Sequence, residues 1–206
     1  MKDIYQRIDE ILPKITQPAF RQNKGLGNEI GFYVFDYDPE YEILVRDRTE
    51  FIKEKAKGAY GLNIVEFDLY EIIIEMLESK GYLKRNFEME EKKGSEHVLF
   101  KATKSTLRIT EDDDVFVKYV GERLEGADIV FLTGVGRAWP IIRSHTILNN
   151  LHRIVEDQPL VMFFPGTYDG GSLMLFNSLK DDNYYRAFSL VDKYWNYRGK
   201  AKWTLC

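Results

Sequence analysis

The sequence predicts an α/β fold: a single three-layer domain in which a mainly parallel central sheet is flanked by helices. Three observations predict it. Strand-length runs stand at residues 32–35, 63–67, 129–132 and 159–164, and the last two are apolar enough to be buried on both faces. Helical patterns separate them, so successive strands need crossover connections and pair in parallel. Two runs end in glycine-bearing turns, at 133–136 and 165–171. Those turns put polar groups at the carboxyl ends of strands, where α/β proteins collect ligands. The expected topology is Rossmann-like or P-loop-like, without a working Walker motif.

In order, Ile4, Ile8, Ile11 and Leu12 follow helical spacing, which predicts an amphipathic helix over 3–12 that Pro13 helps to end. A segment with two glycines, 23–29, leads into the first strand. It is not a phosphate loop, because a Walker loop follows its strand and ends in Gly-Lys-Ser or Gly-Lys-Thr, which occurs nowhere in the chain. Asp36, Tyr37, Asp38 and Pro39 close that strand, and Asp38 caps a helix expected over 40–57. Two carboxylates at a strand end could hold a metal or act as a base, but capping and turn chemistry account for them. Asp68 caps a further helix over 69–79, and Gly81 suits the position after its end. Charges of both signs fill 84–104, which reads as a solvated insertion. Asp112, Asp113 and Asp114 form an acidic helix start reaching about Leu124. They are consecutive instead of spaced to converge on a metal.

The segment 127–150 reads as strand, glycine turn and helix. Gly134 and Gly136 begin like a dinucleotide-binding turn, but Trp139 stands where a third small residue should allow close packing, so the fingerprint fails. Pro140 fits a first helical turn. Ile141, Leu148 and Leu151 can face the sheet, while His145, Asn149 and His152 share another face. No carboxylate has a spacing that would complete a metal site with the two histidines. Arg137 and Arg143 flank the helix start, where a guanidinium could meet a phosphate, a partner's carboxylate or a backbone carbonyl. Trp139 either plugs the crevice or anchors a partner. If the 159–164 strand is parallel to its neighbour, it delivers Thr167, Tyr168 and Asp169 to the same edge. Asp169 is then the leading general-base candidate, against the ordinary reading of Asp-Gly as a turn pair.

Composition sets limits. At 206 residues and 44% hydrophobic, the chain can bury one full core, assigned to residues 1–191 with an aromatic and basic tail at 192–206. No run approaches the roughly 18 apolar residues of a membrane span, and no secretory apolar region follows Met1-Lys2-Asp3, so a soluble cytoplasmic protein is expected. The single cysteine, Cys206, excludes an internal disulfide framework and a thiolate metal cluster. With 29 basic and 33 acidic residues, no global field attracts nucleic acid. Direct nucleic-acid binding is therefore not favoured, although the tail's aromatic and basic residues could stack on bases and neutralise phosphates.

Several motifs, in order, carry a family resemblance: Gly25-Leu26-Gly27-Asn28-Glu29, Leu132-Thr133-Gly134-Val135-Gly136, Trp139-Pro140, Arg143-Ser144-His145-Thr146, Leu148-Asn149-Asn150-Leu151, Pro165-Gly166 with Tyr168-Asp169-Gly170, and Asp182-Asn183-Tyr184-Tyr185-Arg186-Ala187-Phe188. Together they resemble the BrxB family, small components of bacterial BREX phage-defence systems. The resemblance runs from the N-terminal helix to about Val191; residues 84–104 and the tail match nothing in it. It implies a cytoplasmic protein encoded with a PglZ-like phosphatase-family protein, a large ATPase and a DNA methyltransferase, which together modify host DNA and block phage replication. It implies no established catalytic activity, so no catalytic residue, metal or cofactor is carried over. The expected role is a non-catalytic adaptor binding another BREX component, the PglZ-like protein first and the large BREX ATPase next. Its contact surface would be the rim of Trp139 and Tyr168 or the aromatic tail. The alternative is a degenerate nucleotide or phosphate site built from Gly134, Gly136, Arg137 and Asp169.

Overall fold

The computed structural model describes residues 1–21, 31–107, 115–151, 154–155, 158–181 and 187–194. Its centre is a mixed sheet, mostly parallel in the core. The strands are β1 (Phe32–Tyr37), β2 (Ile64–Asp68), β3 (Ile129–Thr133), β4 (Leu160–Tyr168), β5 (Leu173–Leu175), β6 (Leu179–Asp181) and β7 (Phe188–Ser189). Five of them lie parallel in the order β2-β3-β4-β1-β7, while β5 and β6 form an antiparallel extension of β4. The β1–β4 register is the longest, from Phe32 opposite Leu160 to Tyr37 opposite Pro165.

The strand pleat divides two cores. Phe32, Val34, Val130, Leu132, Leu160, Met162 and Phe164 face one side. Alternate residues, Tyr33, Phe35, Tyr37, Ile129, Phe131, Val161 and Phe163, face the other. That second face is covered by α1 (Ile4–Asp9), α2 (Ile11–Ile15), α3 (Pro18–Arg21) and α4 (Glu42–Tyr60), whose Ile4, Ile8, Ile11, Ile15, Val45 and Ile52 join its core. The first face takes α5 (Leu69–Ser79), α6 (Tyr82–Lys93), α8 (Lys104–Leu107), α9 (Val115–Gly121), α10 (Val135–Ala138) and α11 (Ser144–Leu151), with the short α7 (Ser95–His97) between α6 and α8 in the chain. Phe131 is fully buried and meets Phe163 edge-on, ring centroids 5.0 Å apart. Replacing it with Ala would cost about 3–5 kcal/mol.

The exits of the strands decide where a crevice can open. β2 and β3 run on into α5 and α10 on the first face, and the hairpin after β4 also packs Leu173 and Leu175 there. β1 instead feeds α4 on the opposite face. The carboxyl ends of β1 and β4 therefore part in opposite directions, the arrangement that leaves a ligand crevice in open α/β sheets.

Several local expectations change. Asp3 stands outside the first helix as its cap, in a capping box with Gln6, and Pro13 lies inside α2. A proline in the first turn loses no needed N–H, so the chain kinks at Glu10 instead of stopping. Asp38 caps a 3₁₀ turn at Pro39–Tyr41 before α4, which runs to Tyr60 and ends on left-handed Gly61. Residues 84–104 are helical, and most of their side chains are exposed. The segment 165–168 is strand instead of turn, because Gly166, Thr167 and Tyr168 pair with β5. Pro140 lies between α10 and α11, and the long helix begins only at Ser144. The aromatic stretch 183–190 has the composition of a strand, and β7 occupies Phe188–Ser189 within it. The glycine segment 23–29, the Asp112–Asp114 run, His152 and the tail from Trp195 lie outside the described residues.

Candidate functional site at the carboxyl edge of the sheet

The glycine turn after β3 is closed by the protein's own charges. Gly134 has φ +68°, and a Cβ there would clash with the carboxylate of Asp68. Asp68 caps α5: its Oδ1 accepts the amides of Tyr70 at 3.0 Å and Glu71 at 3.2 Å. Its Oδ2 pairs with Arg137, which also reaches Glu71 at 3.1 Å and lies over the Tyr70 ring at 5.2 Å. A phosphate brought to this turn would have to displace the Asp68 carboxylate from Arg137. Gly136 is small for a different reason. A Cβ would lie 2.8 Å from Pro165 Cγ and 2.9 Å from Phe176 Cε1, so this glycine admits the Phe176 ring.

A second cluster surrounds Asp36, near the end of β1. The residue is 1% exposed. Arg7 Nη2 donates to its Oδ1 at 2.8 Å and Arg7 Nη1 to its carbonyl at 2.6 Å, while Lys193 pairs with Oδ2. The Tyr168 amide donates to the same Oδ2 at 2.9 Å. Arg7 comes from α1, where position 7 falls on the same stripe as Ile4, Ile8 and Ile11. The guanidinium lies over the Phe35 ring, 4.8 Å from its centroid. Next to it, the Tyr37 hydroxyl donates to Glu42 Oε2 at 2.6 Å, and burial, then Glu42, raise its pKa. It stays a protonated donor throughout the neutral range. The crevice over this cluster holds about 560 Å³ and is lined by Tyr5, Asp38, Tyr41, Thr167, Asn177 and Lys193 among others.

A third feature is an aromatic rim. Trp139 is 42% exposed and stands edge-on to Phe176, centroids 6.4 Å apart at 86°. Phe176 and Asn177 form the turn of the β5–β6 hairpin with φ of 52° and 56°, and Ser178 N closes it on Leu175 O at 3.1 Å. Both central residues are left-handed, as in a type I′ turn, a conformation that suits Asn and costs a bulky aromatic. Beneath the rim is a cavity of about 350 Å³ lined by Trp139, Arg143, Leu173, Leu175, Leu179 and Lys180. Arg143 is exposed.

The structure thus brings Gly134, Gly136, Arg137, Trp139 and Arg143 into one neighbourhood, with the hairpin beside them. Tyr168 is a correction. The sequence puts it on the rim with Trp139, but it is 7% exposed, packs in the first core and donates its hydroxyl to Ala187 O at 2.6 Å. A tyrosine ending a central strand turns its ring inward with the pleat. Asp169 accepts the Gly171 amide at 2.9 Å, the Ser172 amide at 2.7 Å and the Ser172 hydroxyl at 2.7 Å. Those donors, the Ser172 amide first, lower its pKa to about 2. That is the chemistry of a turn and of a very weak base. His145 and Asn149 fall within α11, and their side chains lie outside the described residues.

Sequence reasoning set Asp36 aside as turn chemistry, whereas the structure buries it in β1 between two cations, and it missed Arg7, Lys193 and Phe176 as site residues. A signal existed for the first two: a carboxylate inside an apolar strand and an arginine on an apolar helix stripe are complementary buried charges. Lys193 carried none, because it is one of several basic residues near the chain end, and the structure builds it into the cluster instead of the tail. No group of three or more His, Cys, Asp or Glu able to hold a metal occurs among the described residues. None of their helices is long and apolar enough to cross a membrane.

Fold and site define a class: an α/β protein whose glycine turn is filled by its own ion pair and whose open features are a crevice and an aromatic rim. Comparison with known proteins gives the family. The family model described as BREX protein BrxB matches residues 65–190. A curated "BREX protein BrxB" of Bacillus cereus (strain H3081.97) is 61% identical over 193 residues, covering 94% of this chain and 100% of that protein. Another, of Escherichia coli O9:H4 (strain HS), is 36% identical over 185 residues and 90% of each chain. The chain belongs to the BrxB family of BREX components. No solved structure matches it significantly.

Proposed function

We propose that the chain is a non-catalytic adaptor of a BREX assembly that docks a larger BREX protein, the PglZ-like phosphatase-family protein first, on the face formed by Trp139, Phe176 and Leu179. The observation that carries this reading is Phe176. A bulky aromatic held left-handed at a hairpin tip, half-exposed and propped by Trp139 through a glycine that makes room for it, is costly for stability alone. Trp and Arg beside a cavity of mixed polar and apolar lining make the composition of an interface hot spot. The same contacts weigh against the phosphate reading of the Gly134 turn, where Asp68 and Arg137 already satisfy each other.

Co-purification of the tagged full chain with each BREX component in turn tests the proposal. Retention of the PglZ-like protein or the large BREX ATPase is expected, with Trp139→Ala weakening that association about thirtyfold, the scale of a hot-spot truncation. Association with no component would overturn it.

A further inference from the structure

The lining of the cavity beneath Trp139 limits what a partner can put there. The cavity holds about 350 Å³, close to the lower end of the roughly 300–1,000 Å³ of small-molecule sites and with room for a large side chain. Its floor is the first core itself, because Phe164, Leu173 and Leu175 belong to that core and line the cavity. Trp139 and Leu179 line it too, and both are exposed. Apolar surface left open in this way is covered favourably by an apolar side chain from outside.

The charged part of the lining has one sign. Arg143 and Lys180 line the cavity, and among the described residues no acidic one does. Lys180 already interacts with another group. Arg143, in the connection between α10 and α11, is exposed, and its guanidinium makes no ion pair or hydrogen bond among the described residues. Arg137, by contrast, is held by Asp68 and Glu71. An unpaired guanidinium is a forked donor whose geometry a carboxylate matches. The chain's own tail is the wrong occupant: residues 195–206 carry Arg198, Lys200 and Lys202 and no Asp or Glu, so they would bring like charge to Arg143. Resting on the adaptor role above, we propose that the partner's docking segment is acidic and apolar together. A large apolar side chain of that segment enters the cavity, and a carboxylate beside it pairs with Arg143.

The test measures retention of the co-purifying BREX component by the tagged full chain, over a salt series. Arg143→Glu should lower retention about tenfold or more, Arg143→Lys should keep most of it, and Arg143→Gln should flatten its salt dependence. Ser178→Trp, which crowds the cavity that Ser178 lines, should also lower retention about tenfold. Arg143 and Ser178 are both exposed, so urea titration should find these variants as stable as the parent. If Ser178→Trp does not fold, Leu179→Glu replaces it and sets a like charge against the incoming carboxylate. Retention that Arg143→Glu or the cavity variant leaves intact would overturn this proposal and leave the adaptor role standing; a parent that retains no BREX component would overturn both. Retention raised by deleting residues 195–206 would make the tail the occupant, and a parent dimer that Arg143→Glu dissociates would make it a second copy. Either result would overturn the proposal as well.

Discussion

Asp36 carries a large stake in stability for one residue. Its carboxylate is enclosed among two cations and an amide, so Asp36→Asn leaves Arg7 and Lys193 facing a neutral group. Breaking a buried pair on one side costs about 3–5 kcal/mol. An unfolding free energy lowered by that amount in urea titration is expected for Asp36→Asn, and a smaller fall for the double variant with Arg7→Met than the sum of the singles. Gly134→Ala should cost about 1–3 kcal/mol in the same assay, because the residue is left-handed and its new methyl would displace the Asp68 carboxylate. Asp169 behaves differently, since its worth depends on pH. With a folded pKa of about 2 against an ordinary 3.8, its turn is favoured above pH 3.8 and loses that support as pH falls toward 2. An NMR titration should place its carboxyl midpoint near 2 in the native protein, and Ser172→Ala should move it upward by removing one donor.

Among the elements, the β5–β6 hairpin separates stability from binding. Phe176→Gly relieves a left-handed backbone, so its unfolding free energy in urea should stay within about 1 kcal/mol of the parent despite the lost ring contact with Trp139. Its retention of a BREX partner should fall more than tenfold. A variant that lost stability and binding in proportion would show the ring to be a packing residue. Gly166→Ala attacks the same element from behind, because its Cβ would press on the Met174 carbonyl and part β5 from β4. This hairpin was also the least legible element. The β1, β2, β3 and β4 strands announced themselves as apolar runs, and the Asp38 and Asp68 caps as carboxylates before helical patterns. A three-residue strand carries too few positions for a period, and Pro165-Gly166 ahead of Asp169-Gly170 imitates a longer turn. Asn177 was the available signal, a residue that tolerates φ above zero between two short apolar stretches.

At the scale of the whole molecule, the α/β class was legible because burial on both faces shapes composition directly. The sheet order was not, since parallel neighbours are chosen by contacts far apart in sequence. The candidate site shows the same limit. Glycines, Trp139 and the arginines were visible as residue types, but the partner that fills the Gly134 turn, Asp68, is a helix cap 66 positions upstream, and the crevice draws on both ends of the described chain. Strand β1 is flanked by β4 and β7, both made late, and Asp36 receives its second cation only from Lys193. A chain ending before Phe188 should therefore be cleaved by protease at concentrations the full chain resists. During synthesis, β1 waits with one edge uncovered and Asp36 Oδ2 without its cation until the last described residues arrive. The clasp of Arg7, Asp36 and Lys193 thus ties residues near both ends of the described chain to one strand, and it closes only when both are in place.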